Sequence, residues 1–197
     1  MTNSALHRLD IPDHTSDAEL LSQVKRILRE AGHSTALVIA GSFAGDVTDV
    51  RAHGDAVGLL LDAPMPVFAL PSGPIGRRGL ALVLAADRAV IGPAANTSSD
   101  WRSGPALAPL LRHRLGSMHA EATLFDPAAD PLARFVEFGF AVRSEDPEFY
   151  VREIAAVLGD GIGRRLKRAL KASGELPLKE AIGFDMWFAR PSHMGTP

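Results

Sequence analysis

The chain has 197 residues, with 21 Lys+Arg set against 23 Asp+Glu for a formal charge of −2. That length fits one domain, or one domain with a small appendage, and 46% apolar against 22% charged residues excludes a largely disordered chain. Neither the charge balance nor the aromatic content (6%) points to nucleic acid, and the absence of cysteine excludes disulfides, a thiol nucleophile, thiolate zinc sites and iron–sulfur clusters. No apolar run approaches the ~20 residues of a membrane span. The opening residues, with Asp10 and Asp13, lack the apolar stretch of a secretory leader, so the expectation is a soluble, cytoplasmic protein.

In chain order, residues 6–11 read as a short strand closed by Pro12. Residues 17–31 carry Leu20, Leu21, Val24, Ile27 and Leu28 at helical spacing, with Ser16 as N-cap and Gly32 just past the end. A buried β-type run follows at 35–40, ending in Gly41. A polar stretch at 42–55 leads into a short helix at 56–61, stopped by Pro64 and Pro66. Residues 67–70 form the next strand, 73–76 a turn, 80–86 a helix that is apolar all round, and 88–91 another strand. The small and polar residues at 92–99 read as loop. Beyond them lie helical segments at 106–115, 118–124, 130–138, 148–158, 161–172 and 178–188. The first half thus predicts βα crossovers and the second half is all-helical. No linker divides the chain.

The familiar nucleophile and phosphate-loop motifs are missing. The seven histidines are scattered, which disfavours a metal enzyme. Two glycine-bearing turns carry more information. Residues 40–46 (A-G-S-F-A-G-D) follow one buried strand, and residues 72–79 (S-G-P-I-G-R-R-G) follow the next and open the apolar helix. Such strand-to-helix turns leave backbone N–H groups unsatisfied at the positive end of a helix dipole. Side by side, they can aim two donors at one oxygen and so form an oxyanion hole. They also read as ordinary βα turns with glycine at positive φ.

The stretch from Pro66 to Asp87, P-V-F-A-L-P-S-G-P-I-G-R-R-G-L-A-L-V-L-A-A-D, resembles the signature of the crotonase (enoyl-CoA hydratase/isomerase) superfamily, without a gap from Gly73 to Asp87. Upstream, A-L-V-I-A-G at 36–41 and F-A-G-D at 43–46 resemble two further family segments. Downstream, Gly116 with Ala120, and Ala133 with the run 138–142, follow others. The resemblance implies an α/β fold, a ββα spiral over residues 1–144 followed by a helical region at 145–197 that serves trimerisation or as a lid. It implies an acyl thioester substrate whose carbonyl oxygen, on becoming an enolate, is held by the backbone N–H groups of Ala44 and Arg78. Phe43, Gly45, Arg77 and Trp101 fall where substrate binds. No metal and no cofactor are implied beyond coenzyme A or phosphopantetheine as the substrate's handle. The implied partners are an acyl-CoA or acyl-carrier-protein thioester and further copies of the chain, as a homotrimer or hexamer, with no nucleic acid and no membrane.

Departures from the family pattern limit the reaction. Ala81 stands where hydratases carry their first catalytic glutamate, and the second falls on Asp100, or on Trp101 by an ungapped count. Asp100 is the preferred single acid or base, although a loop carboxylate also serves as an N-cap or a solvated charge. Arg77 and Arg78 fill a turn that is normally glycine-glycine; they either pair with a substrate carboxylate or phosphate or face solvent. The expectation is enolate chemistry by dehydration, isomerisation or decarboxylation, with a place in polyketide or secondary metabolism by analogy. The alternative is a non-catalytic subunit or carrier-protein-binding module. Arg164, Arg165, Lys167, Arg168 and Lys171 lie on one helix, as a contact for phosphates or an acidic carrier protein, or as a solvated face. Phe184, Trp187 and Phe188 read as core or subunit-contact residues.

Overall fold

The computed structural model describes residues 6–31, 34–159 and 161–188. Strand β1 (Leu6–Ile11) is followed by helix α1 (Asp17–Glu30), strand β2 (Ala36–Gly41), helix α2 (Val50–Leu61) and strand β3 (Val67–Ala69). Ser16 caps α1 as expected: its hydroxyl accepts the Glu19 N–H while Glu19 Oε2 accepts the Ser16 N–H. The glycine expected beyond that helix, Gly32, lies outside the described residues. Helix α2 starts six residues earlier than its apolar residues suggest, because the Asp49 carboxylate accepts the N–H groups of Arg51 and Ala52 and secures the first turn.

Strand β4 (Pro74–Ile75), helix α3 (Arg77–Ala85), strand β5 (Arg88–Ile91) and strand β6 (Asn96–Thr97) follow. The expected turn at 73–76 and loop at 92–99 are therefore corrected: each holds a two-residue strand, and the two pair in parallel as a separate small sheet. Helix α3 is buried from Arg78 to Ala85, in line with its uninterrupted apolar sequence. A short 3-10 helix at Trp101–Ser103 leads to α4 (Leu107–Leu115), α5 (Ser117–Phe125) and α6 (Pro131–Glu137). Strand β7 (Ala141–Arg143) then overturns the expectation of an all-helical second half. It pairs with β5 and completes a five-stranded, all-parallel sheet in the order β1-β2-β3-β5-β7.

Alternation along the strands divides the core. Leu9, Ile11, Leu37, Ile39, Val67, Ala69, Ala89 and Ile91 face the layer built from α1 to α6. Val38, Ala40, Phe68 and Val90 face the other way, where Val151 and Ile154 of α7 (Pro147–Val157) cover them. Helix α8 (Ile162–Glu175) is tied back to this body by its basic residues. Arg164 donates to the Ala31 and Ser34 carbonyls, Lys167 bonds the Met65 carbonyl and pairs with Asp87 at 2.7 Å, and Lys171 pairs with Asp62 at 2.7 Å. Arg164 and Lys167 hold α8 against the body, whereas Lys171 remains on the solvated face. Helix α9 (Leu178–Phe188) packs on α8, and the side chains of Phe184, Trp187 and Phe188 lie outside the described residues. Among the described residues no helix is long and apolar enough to cross a membrane.

Candidate functional site

Both glycine turns leave the carboxyl edge of the parallel sheet, after β2 and β3, where open α/β sheets place their ligands. They run against each other. The Gly76 N–H donates to the Phe43 carbonyl at 3.0 Å, and the Arg78 N–H donates to the Gly45 carbonyl at 3.3 Å. Glycine at 76 and 79 makes this approach possible. A Cβ at Gly79 would lie 1.9 Å from the Phe43 carbonyl oxygen, and one at Gly76 would lie 2.4 Å from that of Gly45. Neither backbone can yield.

The expectation of two free donors is corrected by this lacing. The Arg78 amide is bonded within the protein, because the 42–46 turn settles its Gly45 carbonyl onto the N-terminus of α3. The Ala44 amide differs: among the described residues its N–H has no acceptor. Ala44, Gly45 and Asp46 line a cavity of about 320 Å³ together with the β4 turn, Asn96, Ser98 and Asp100. Asp100, Gly45 and Ala44 thus line one cavity.

The two arginines in the turn take opposite courses. Arg77 bridges two acids of that lining, with its Nε 2.8 Å from Asp46 Oδ1 and 3.5 Å from Asp100 Oδ2, and its Nη1 3.2 Å from Ser103 Oγ. The Asp46 hydrogen bond raises the Arg77 pKa, and the reciprocal bond lowers that of Asp46. Arg78 turns inward and is 6% exposed. Its guanidinium donates to the Thr15 carbonyl and, at 3.3 Å, to the Ala44 carbonyl, while its Nε has no partner. Both readings of the Arg78 side chain, toward a substrate anion or toward solvent, are thereby corrected: it braces the turn from beneath.

A second brace adjoins it. Asp17 Oδ2 accepts the Thr48 N–H, the Thr48 hydroxyl and the Asp49 N–H at 2.7–3.0 Å. Burial pushes the Asp17 pKa up, but those donors and nearby His53 outweigh it and the net shift is downward. Its other oxygen faces His53 Nδ1 at 3.7 Å, and both ring nitrogens of His53 are buried without a partner. Burial lowers the His53 pKa, and Arg78 lowers it further against the opposing pull of Asp17.

Two residues expected at the substrate are elsewhere. The Phe43 side chain is 2% exposed in the core, contributing only its carbonyl to the turn contact, and Trp101 is 3% exposed with the Arg102 guanidinium 4.4 Å above its ring. Trp101 lines an adjacent cavity of about 410 Å³ instead. Ala81 is buried, so the position of the first glutamate is filled by core. Asp46, which holds Arg77, and Ser98, which lines both cavities, escape sequence reading. Asp46 stands inside the F-A-G-D segment, whereas nothing in the sequence distinguishes Ser98.

No protein-family model matches the sequence, and no curated protein is similar to it. Solved structures are similar in fold. An enoyl-CoA hydratase/isomerase family protein from Silicibacter pomeroyi is 20% identical with a TM-score of 0.72, over 95% of this chain and 97% of that one. An enoyl-CoA hydratase from Mycobacterium avium subsp. paratuberculosis K-10 is 17% identical with a TM-score of 0.68, over 97% and 93%. An enoyl-CoA hydratase from Bacillus anthracis is 15% identical with a TM-score of 0.67, over 92% and 85%.

Proposed function

Proceeding from the crotonase fold that these structures share with the chain, we propose that it binds an acyl thioester of coenzyme A or of a carrier protein without adding water to a double bond. One observation carries the reading. Of the two turn amides, Ala44's has no acceptor among the described residues, whereas Arg78's is bonded to Gly45. One N–H suffices to hold a neutral carbonyl oxygen. An enolate needs more, and losing one oxyanion donor typically costs about 10²–10³ in turnover. Hydration also needs paired carboxylates, yet Ala81 replaces one and Asp100 faces Arg77. No cofactor enters beyond the coenzyme A or phosphopantetheine handle. Calorimetric titration with acyl-CoA and acyl-carrier-protein thioesters, coupled to mass spectrometry, tests this. Binding without loss or gain of water supports it; absence of binding, or hydration of an enoyl thioester, overturns it.

A second reading keeps single-group chemistry, with Asp100 as acid or base for dehydration, isomerisation or decarboxylation, in polyketide or secondary metabolism by analogy. The observation favouring it is that Asp100 lines the cavity that the Ala44 turn lines. Turnover that disappears in Asp100→Asn selects this reading. Self-association as a homotrimer or hexamer belongs to both. Ile162, Leu166 and Leu170 recur at four-residue spacing on α8 and are 46%, 40% and 74% exposed, an apolar row suited to a contact between copies. Light scattering on the purified chain decides it.

A further inference from the structure

We propose that the buried cluster of Asp17, His53 and Arg78 is a proton-operated switch on the loop at 42–49. A proton taken up by His53 drives Arg78 off the Ala44 carbonyl, and the turn lining the 320 Å³ cavity opens as pH falls. Such a switch acts whatever the cavity binds. Two buried groups pin this loop at separate points. At residue 44 the Arg78 guanidinium donates to the backbone carbonyl, and its Nη2 lies beneath Gly45, 3.6 Å from where a Cβ would stand. At 48–49 the Asp17 Oδ2 accepts both backbone N–H groups and the Thr48 hydroxyl.

His53 acts on both pins. Its Nδ1 faces the free Asp17 Oδ1 at 3.7 Å, and both of its ring nitrogens are buried without a partner, as is the Arg78 Nε. Helix α2 packs on α1 and α3, and the charged groups that act on His53 from them are Asp17 and Arg78. On its own helix the Asp49 carboxylate is committed to the Arg51 and Ala52 N–H groups, and His14, beside Thr15, is exposed. With His53 neutral the cluster holds one cation and one anion. Protonation adds a second buried cation, which is costly without a further counter-ion. Asp17 can answer it with its free oxygen while Oδ2 keeps Thr48 and Asp49. Arg78 has no such recourse, since its acceptors are the Thr15 and Ala44 carbonyls and no carboxylate among the described residues pairs with it. Its bond to Ala44 is long, at 3.3 Å, and Ala44 borders the cavity, so Arg78 is the group that yields. Burial lowers the His53 pKa in the closed chain, with Asp17 opposing and Arg78 adding to the effect, so releasing Arg78 raises it. Opening therefore binds a proton, and it grows by up to about tenfold per pH unit below about pH 6.5.

Amide hydrogen exchange on the full chain, at about pH 7.5 and about pH 5.5 and corrected for intrinsic rates, tests the switch. The Gly76 and Arg78 amides, bonded to the Phe43 and Gly45 carbonyls, report the turn. They are expected to lose protection by about fivefold or more at the lower pH, through a local opening insensitive to low urea. The Thr48 and Asp49 amides keep their protection, because Asp17 still holds them. In His53→Gln the loss at Gly76 and Arg78 disappears. The wild-type chain supplies a second reading that needs no variant: the loss levels off where the His53 ring, followed by its ¹⁵N shifts, is half protonated. Four results would each overturn the switch. They are unchanged protection at Gly76 and Arg78, earlier loss at Thr48 and Asp49, a urea-sensitive loss in step with the strand-edge amides of Leu37 and Leu70, and a pH dependence that persists in His53→Gln.

Discussion

Replacing Arg78 by methionine keeps the buried stem and removes the guanidinium, and so tests whether this side chain braces the 42–46 turn. Two carbonyls, those of Thr15 and Ala44, lose their donor. A hydrogen bond from a charged donor contributes about 1.5–3 kcal/mol. The Ala44 contact, at 3.3 Å, falls at the weak end. Removing the unpartnered Nε returns about 1 kcal/mol, so the net loss is about 2–3 kcal/mol. In a domain of this size each kcal/mol shifts Tm by about 2–4 °C, which gives a drop of about 4–12 °C. Thermal melting measures that drop, and amide hydrogen exchange adds the readout specific to the turn: exchange at residues 43–46 accelerates more than in the β2 and β3 strands. Arg78→Lys recovers only part of the loss, since one ammonium does not reproduce the guanidinium fork. Unchanged melting, or a loss spread evenly over the sheet, refutes the bracing role.

Other expectations follow from the same geometry. Gly79→Ala places a Cβ 1.9 Å from the Phe43 carbonyl oxygen, so it costs about 3 kcal/mol or more and, in melting experiments, exceeds any single alanine substitution on the exposed face of α1. His53 is held below its usual pKa by burial, so its protonation favours the unfolded chain. Stability therefore declines as pH falls through about 6.5, and again lower down as Asp17, whose pKa is also depressed, takes up its proton. His53→Leu shrinks the first decline, leaving the share of His113, whose pKa burial also lowers, and keeps the second, as denaturant titrations at stepped pH would record. Asp87→Ala deprives the Val67 N–H of its acceptor and leaves Lys167 and Arg114 without their carboxylate. The expected loss in chemical denaturation is about 2–4 kcal/mol, with faster exchange along α8.

The sequence is most legible where one physical requirement dominates. The runs of β2, β3 and β5 are mostly apolar and bounded by turn residues, and α3 is apolar from Leu80 onward because it is buried there on every side. The two-residue strands β4 and β6 are too short to show any periodicity, and β7, only three residues long and directly following Phe140, is hidden in the same way. The first turn of α2 contains Arg51, His53 and Gly54, a polar stretch that obscures the helix, although Asp49 offers a cap. At the site, the turn glycines are readable because close backbone approach demands them. The direction of Arg78 is not, since an arginine near a helix start ordinarily points to water and only the space beneath the 42–46 turn sends it inward. Likewise the basic residues of α8 give a solvated stripe on paper; their acceptors, Met65, Asp62 and Asp87, are distant in the chain.

The most direct measurement is hydrogen–deuterium exchange at the carbon next to the thioester carbonyl, followed by NMR with butyryl-CoA in deuterated buffer. That exchange proceeds through an enolate, and it reports oxyanion stabilisation whatever the natural acyl group is. With the Arg78 amide occupied by Gly45, exchange in the presence of the protein remains at the buffer rate although the thioester binds. Exchange well above that rate, lost in Asp100→Asn, contradicts the account and shows that the second donor opens to substrate.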